Sequence, residues 1–163
     1  DIFNDAWADN WKFVPWTREE FAAVGREIML LVPDDFLQIV EVSGEPVAFI
    51  VMIPNLNEVI GDLNGSLLPF GWAKLLWRIK VRYPTSGRVP LMGVRRRFHN
   101  TRLGAGLAMC CIDALREPSA REGLRRAELS WILEDNQGMR SILDAIGGEV
   151  TKTYAMFEKT LGE

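Results

Sequence analysis

Phe98-His99-Asn100-Thr101-Arg102-Leu103-Gly104-Ala105-Gly106-Leu107 sets a small, amide-rich turn between an apolar run and an amphipathic helix. The run before it, Val89-Pro90-Leu91-Met92-Gly93-Val94, has strand length, and after it Leu103, Leu107, Cys110, Cys111 and Ala114 recur at helical spacing. A strand, turn and helix in this order aim the first helical amides and the positive dipole end into the turn, where an anion such as phosphate is favoured. Gly104 and Gly106 have no Cβ, so a ligand can approach the backbone closely, although glycines also serve such turns for purely local reasons. Arg95-Arg96-Arg97 with Arg102 adds positive charge beside the turn, suited to phosphates. Arg121, Arg125 and Arg126 fit a solvated surface better.

Working outward, Ala127 to Leu133 predicts a strand, followed by Glu134-Asp135-Asn136 and a helix through Met139, Ile142, Leu143 and Ile146 that Gly147-Gly148 ends. Glu149 to Lys159 predicts a final strand carrying Tyr154 and Phe157. Upstream, Thr17 and Glu20 form a capping box that opens a helix with Phe21, Val24 and Ile28 on its apolar face. Phe36 to Val42 reads as a strand, Ser43-Gly44 as a turn, and Val47 to Ile53 as a strand buried on both faces and ended by Pro54. The connection from there to Val89 is long, and Trp72, Leu75, Leu76 and Ile79 give part of it helical spacing. Core packing is its first explanation, a hydrophobic groove for a ligand the second. An interfacial membrane contact, with Lys74, Arg78, Lys80 and Arg82 on the basic side, is the third.

A chain of 163 residues with 48% apolar content can bury a substantial core and fits one α/β domain over residues 1–163. A net charge of −3 argues against non-specific nucleic-acid binding. Cys110 and Cys111 are adjacent on a predicted helix, where their side chains diverge, and no metal-ligand spacing exists around the single histidine. No apolar stretch approaches the roughly 18 to 20 residues that span a bilayer. The expected location is cytoplasmic, with room for a peripheral contact at the inner membrane.

The turn and its surroundings resemble the GNAT superfamily of acyl-CoA-dependent N-acyltransferases, whose pyrophosphate loop follows the pattern Q/R-x-x-G-x-G/A. Two registers fit: with Gly104 and Gly106 as the glycines, Thr101 stands in the Gln/Arg place; with His99 in that place, Arg102 replaces the first glycine and Gly104 is the last. The wording Phe3-Asn4-Asp5-Ala6-Trp7, Asn10-Trp11, Pro54-Asn55-Leu56-Asn57, Leu67-Leu68-Pro69-Phe70-Gly71-Trp72 and Glu128-Leu129-Ser130-Trp131-Ile132-Leu133-Glu134-Asp135-Asn136 is similar to the C-terminal half of bacterial two-domain GNAT-like proteins. That group includes ceramide synthase-like N-acyltransferases. The resemblance implies a GNAT-like fold, with a central mixed and mostly antiparallel twisted sheet flanked by helices. It also implies a missing first strand, because only Asp1 to Asn4 precede the Trp7 and Trp11 segment, and hence a piece of a longer protein with a related domain upstream.

The resemblance further implies acetyl-CoA or a longer acyl-CoA as co-substrate and an amine acceptor, with a sphingoid-type amine the most specific suggestion. The acyl group would pass directly, without a covalent enzyme intermediate. The backbone around Gly93 and Val94 would hold pantetheine and polarise the thioester carbonyl, while His99, Thr101, Arg102, Leu103, Gly104, Ala105 and Gly106 would border the coenzyme. Asn136 would bind the pantetheine arm or simply cap its helix. Glu128 is the leading candidate base, ahead of Glu134 and Asp135, and its alternative is a solvent-facing or ion-paired residue. Tyr154 is the candidate acid, since Leu143 and Asp144 stand where the superfamily's more common tyrosine lies. A second expectation is a catalytically impaired domain that binds acyl-CoA or supports its partner domain.

Overall fold

The structure, a computed structural model, describes residues 1–10, 12–30 and 32–159. Trp11 and the residues beyond Lys159 lie outside them. The chain divides into two compact units, Asp1–Trp131 and Ile132–Glu163.

The first unit is a four-stranded sheet in the order β1 (Leu37–Val42), β2 (Glu45–Pro54), β3 (Ser86–Val94), β4 (Arg126–Leu129). The first two pairings are antiparallel and the last is parallel, so the sheet is mixed and mostly antiparallel as expected. Central β2 carries Val47 to Met52, every one of them buried, which is why its sequence is continuously apolar rather than alternating. On one face, Ile50, Met52 and Val89 pack against Leu107, Cys111 and Leu115 from the helix α5 (Arg102–Ala114) and its end. Fully burying one side chain such as Ile50 contributes about 1.5–3 kcal/mol. On the other face, Phe49 and Val51 meet Phe3 of α1 (Ile2–Trp7), whose ring stacks within 5.5 Å of Trp7, Phe13 and Trp16.

The N-terminal wording is structural residue by residue. Phe3 enters the core, and the Asn4 carboxamide bonds both the N–H and the C=O of Trp16. Asp5 accepts from the Arg96 amide, and the Trp7 indole N–H donates to the Met92 carbonyl at 3.0 Å. The capping box forms as read: Thr17 Oγ1 accepts from the Glu20 amide, and the Glu20 carboxylate accepts from the Thr17 amide, opening α2 (Arg18–Met29).

Three expectations change. β4 ends at Leu129 rather than Leu133, because Trp131 takes a left-handed φ of 65° that breaks the extended ladder. Residues 149–159 join no sheet, and Tyr154 and Phe157 are exposed: β-propensity without a partner strand leaves backbone groups unpaired and makes no strand. Between β2 and β3 lie α3 (Asn57–Ile60) and α4 (Gly71–Lys80). Of the apolar residues expected to pack α4 on the core, only Ile79 is buried; Trp72 and Leu76 are about half exposed.

The remaining α-helices are α6 (Arg116–Arg121) and, in the second unit, α7 (Gln137–Ala145). Asn136 caps α7 through its side-chain oxygen on the Met139 amide. Gly147, at φ 77°, turns the chain out of it, and the Gly148 amide closes on the Leu143 carbonyl.

Candidate functional site

The ladder between β2 and β3 shifts register where Val89 and Pro90 stand opposite the single residue Met52, a β-bulge placed at a residue with no N–H to lose. Beyond it, the Arg95 amide donates to the Val47 carbonyl, so by alternation Gly93 and Leu91 face β2 through their hydrogen-bonding groups. Met92 and Val94 therefore direct their N–H and C=O groups away from β2. Pairing with β4 stops at Val89 opposite Leu129, three residues earlier than Met92, so no β4 residue takes these groups. Their carbonyls have other partners, the Trp7 indole on Met92 and the His99 ring on Val94, at 3.0 and 2.7 Å. Their amides have none among the described residues.

The His99 contact ties the strand end to the turn. A carbonyl only accepts, so the Nε2 of His99 is the donor. Asn100 follows at φ 57°, and Thr101 then caps α5: its hydroxyl donates to the Phe98 carbonyl at 2.7 Å and accepts from the Gly104 amide at 3.0 Å. The Ala105 amide begins the helical ladder by donating to the Thr101 carbonyl. Among the described residues this leaves the amides of Arg102 and Leu103 without partners, at the positive end of a 13-residue helix and with Arg102 and Leu103 both exposed.

The two glycines of the turn do different work. A Cβ on Gly104 would lie 2.0 Å from the Phe98 carbonyl oxygen, so the missing side chain makes room for the chain's own backbone rather than for a ligand. A Cβ on Gly106 would meet nothing within 4 Å. Gly93 resembles Gly104: its Cβ would press on the Phe49 ring and Ala6, and its amide belongs to the β2 ladder. The groups free to meet a ligand at this strand are thus Met92, which the sequence reading did not single out, and Val94. The signal that could have found Met92 is Pro90, which marks the bulge.

The arginine triplet also has internal work. Arg95 donates to the Pro46 carbonyl, Arg96 pairs with Asp5 and Asp9, and Arg97 pairs with Glu45 at 2.6 Å while lying over the Phe98 ring. Burial alone would raise the Asp5 carboxyl, but the Arg96 amide and guanidinium outweigh it and hold the group below its ordinary value. Arg102 is the arginine of the group with no carboxylate partner among the described residues.

Glu128 lies one position before the last β3–β4 pair, directly across from Arg88, whose Nη2 holds its Oε1 at 2.8 Å. One carboxylate oxygen is therefore engaged. Asn136 and Tyr154 belong to the second unit, where Asn136 is the helix cap described above and Tyr154 is exposed. Cys111 is fully buried, and burial pushes its thiol up to about 12, which makes it an inert core residue.

No protein-family model matches the chain. The fold is that of the GNAT acetyltransferases. An aminoglycoside N-acetyltransferase, AAC(6')-Iy, solved with a CoA-linked bisubstrate analogue, superposes with a TM-score of 0.56 at 19% identity over 93% of this chain and 84% of that one. The same enzyme solved with CoA gives 0.52 at 19% identity over 88% of each chain. In sequence, the chain resembles bacterial ceramide synthase of Caulobacter vibrioides (strain NA1000 / CB15N), 42% identical over 99% of this chain and 42% of that protein. It also resembles protein YghO of Escherichia coli (strain K12), 52% identical over 99% of this chain and 41% of that protein. The chain thus spans about two-fifths of the length of these relatives.

Proposed function

We propose that this chain is an acyl-CoA-dependent N-acyltransferase domain, one domain over residues 1–163, acting within a longer protein that carries a related domain upstream. The observation that carries the reading is the pair of amides at Met92 and Val94 without partners among the described residues, tied through His99 to a turn whose helix presents two further such amides. The GNAT fold and the resemblance to a ceramide synthase support it, and the second supports a sphingoid-type amine as acceptor.

In this reading the coenzyme diphosphate meets the Arg102 and Leu103 amides and the Arg102 side chain, with Gly106 leaving space beside them. The pantetheine arm runs along the free side of β3 as an additional strand would, which is what an unpaired backbone edge accepts. The amides at Met92 and Val94 polarise the thioester carbonyl. The amine nitrogen attacks the carbonyl carbon, the C–N bond forms as the C–S bond breaks, the amine proton leaves to a base, and the thiolate takes a proton to give free coenzyme A. Glu128, through its second oxygen and a water, is the proposed base; Tyr154 is the proposed acid, and Asn136 a contact for the pantetheine arm through its amide nitrogen.

The test is coenzyme release measured with a thiol reagent, using short and long acyl-CoA with a sphingoid base or a short alkylamine. Release that requires the long-chain amine supports the lipid reading, and release with any amine leaves only the general one standing. A second reading, an acyl-CoA-binding domain without turnover, is favoured by the ion pair on Glu128. Binding of acyl-CoA with no release under any pairing would select it.

A further inference from the structure

The α3–α4 hairpin leaves an apolar surface that none of the described residues covers. Leu68 and Phe70 are 78% and 77% exposed, and Trp72, Leu76, Trp77 and Val81 continue the patch at 50% or more. On a helix, Trp72, Leu76 and Lys80 follow one another at four-residue steps, with Trp77 and Val81 on the adjoining row. Ile79, seven residues on from Trp72 and at the edge of that row, is the one residue of α4 that is buried. The hairpin is braced from behind: Asp62 takes both Lys74 and Arg78, Arg78 also donates to the Val59 carbonyl, and Glu58 accepts from the Thr85 amide and hydroxyl and from Ser86. A braced support that turns aromatic side chains outward is built to present them.

Charge and chemistry select the occupant. Between Asn57 and Arg82 there are four basic and two acidic residues, in a chain whose total is −3. Asp62 offsets Lys74 and Arg78, while Lys80 and Arg82 have no carboxylate partner among the described residues and flank the patch. The Trp72 indole N–H is already satisfied by the Pro69 carbonyl at 3.1 Å, so that ring can leave water without an unpaired donor. Tryptophan, phenylalanine and leucine beside lysine and arginine are the composition that settles at the boundary of an anionic bilayer. No helix among the described residues is long and apolar enough to cross a membrane.

We propose that residues 67–82 form a membrane-docking face that seats Leu68, Phe70, Trp72 and Trp77 at the headgroup boundary, with Lys80 and Arg82 on anionic lipid. The proposal does not depend on acyl transfer, because vesicle binding needs no coenzyme.

The experiment is flotation of the full-length protein with phosphatidylcholine vesicles, with and without phosphatidylglycerol. The wild type is expected to float with the anionic vesicles, and less so as salt rises. Leu68→Ser/Phe70→Ser/Trp77→Ser should lower the bound fraction about tenfold, with the melting transition and coenzyme binding unchanged. Lys80→Glu/Arg82→Glu should remove only the phosphatidylglycerol-dependent part. Quenching of wild-type tryptophan fluorescence by brominated lipid reads the same contact without any substitution. A wild type that neither floats nor is quenched overturns the proposal, as do apolar variants that float equally. If the variants instead convert a dimer to a monomer in sedimentation while wild-type flotation is absent, the patch is a contact between copies.

Discussion

The turn between β3 and α5 and the hairpin of α3 and α4 both concentrate arginines and lysines, yet they use them oppositely. In the turn, Arg95, Arg96 and Arg97 are tied to Pro46, Asp5, Asp9 and Glu45, and what faces outward is backbone: the amides at Met92, Val94, Arg102 and Leu103. In the hairpin, Asp62 and Glu58 hold the frame and what faces outward is side chain, mostly aromatic and apolar. Fixed amides suit a ligand of defined shape, whereas an exposed apolar patch suits a surface with none.

The sharpest break in that comparison is Gly104→Ala. Its methyl would sit against the Phe98 carbonyl and push the helix off its cap, so we expect a loss of about 3 kcal/mol in urea unfolding, in the range of severe core overpacking. An unchanged midpoint would show that the turn is not rigid. Asp5→Asn comes next, at about 1 kcal/mol, the value of a charged hydrogen bond reduced by the partial exposure of the pair. The carboxyl of Asp5 is lowered in the folded chain, so its contribution is present above its ordinary value near 4 and is lost as pH falls through the lowered one. Wild type and variant should therefore differ at pH 7 and converge in melting temperature as pH falls through that lowered value.

At the root of the hairpin, Tyr83 places a buried hydroxyl with no partner among the described residues, and burial, followed by the charge of Glu122, pushes it up to about 12. Tyr83→Phe should be neutral or stabilising by up to about 1 kcal/mol in thermal melts; a clear loss would reveal a hydrogen bond at that oxygen. The smallest effect is Gly106→Ala, where open space and helix propensity together predict a gain of about 0.5–1 kcal/mol, opposite in sign to the same change two residues earlier.

Much of the frame was legible in the sequence because its signals are local. The unbroken apolar run of β2, the Thr17–Glu20 box, the Asn136 cap and the Gly147 exit each depend on neighbours a few residues away. The site was legible only as a place. Whether Arg96 serves a ligand or Asp5 depends on residues about ninety positions apart, and whether Gly104 clears space for phosphate or for Phe98 depends on a turn whose path no periodicity reports. The same limit explains α4: spacing shows that a helix has an apolar side, never that a partner exists to cover it. Residues 149–159 fail for the complementary reason, since alternation suggests a strand but only a neighbouring ladder makes one.

The most direct measurement is calorimetric titration of the wild type and Arg102→Glu with coenzyme A and a long-chain acyl-CoA, below the aggregation threshold of the lipid. Arg102 is exposed, starts α5 and takes part in no ion pair among the described residues, so the substitution tests the turn without disturbing the frame. The account predicts one-site binding by the wild type and at least a roughly tenfold weaker affinity in the variant for both ligands, as expected for reversing a charge beside a bound phosphate. Equal affinities in the two proteins, or no heat of binding in the wild type, would contradict it.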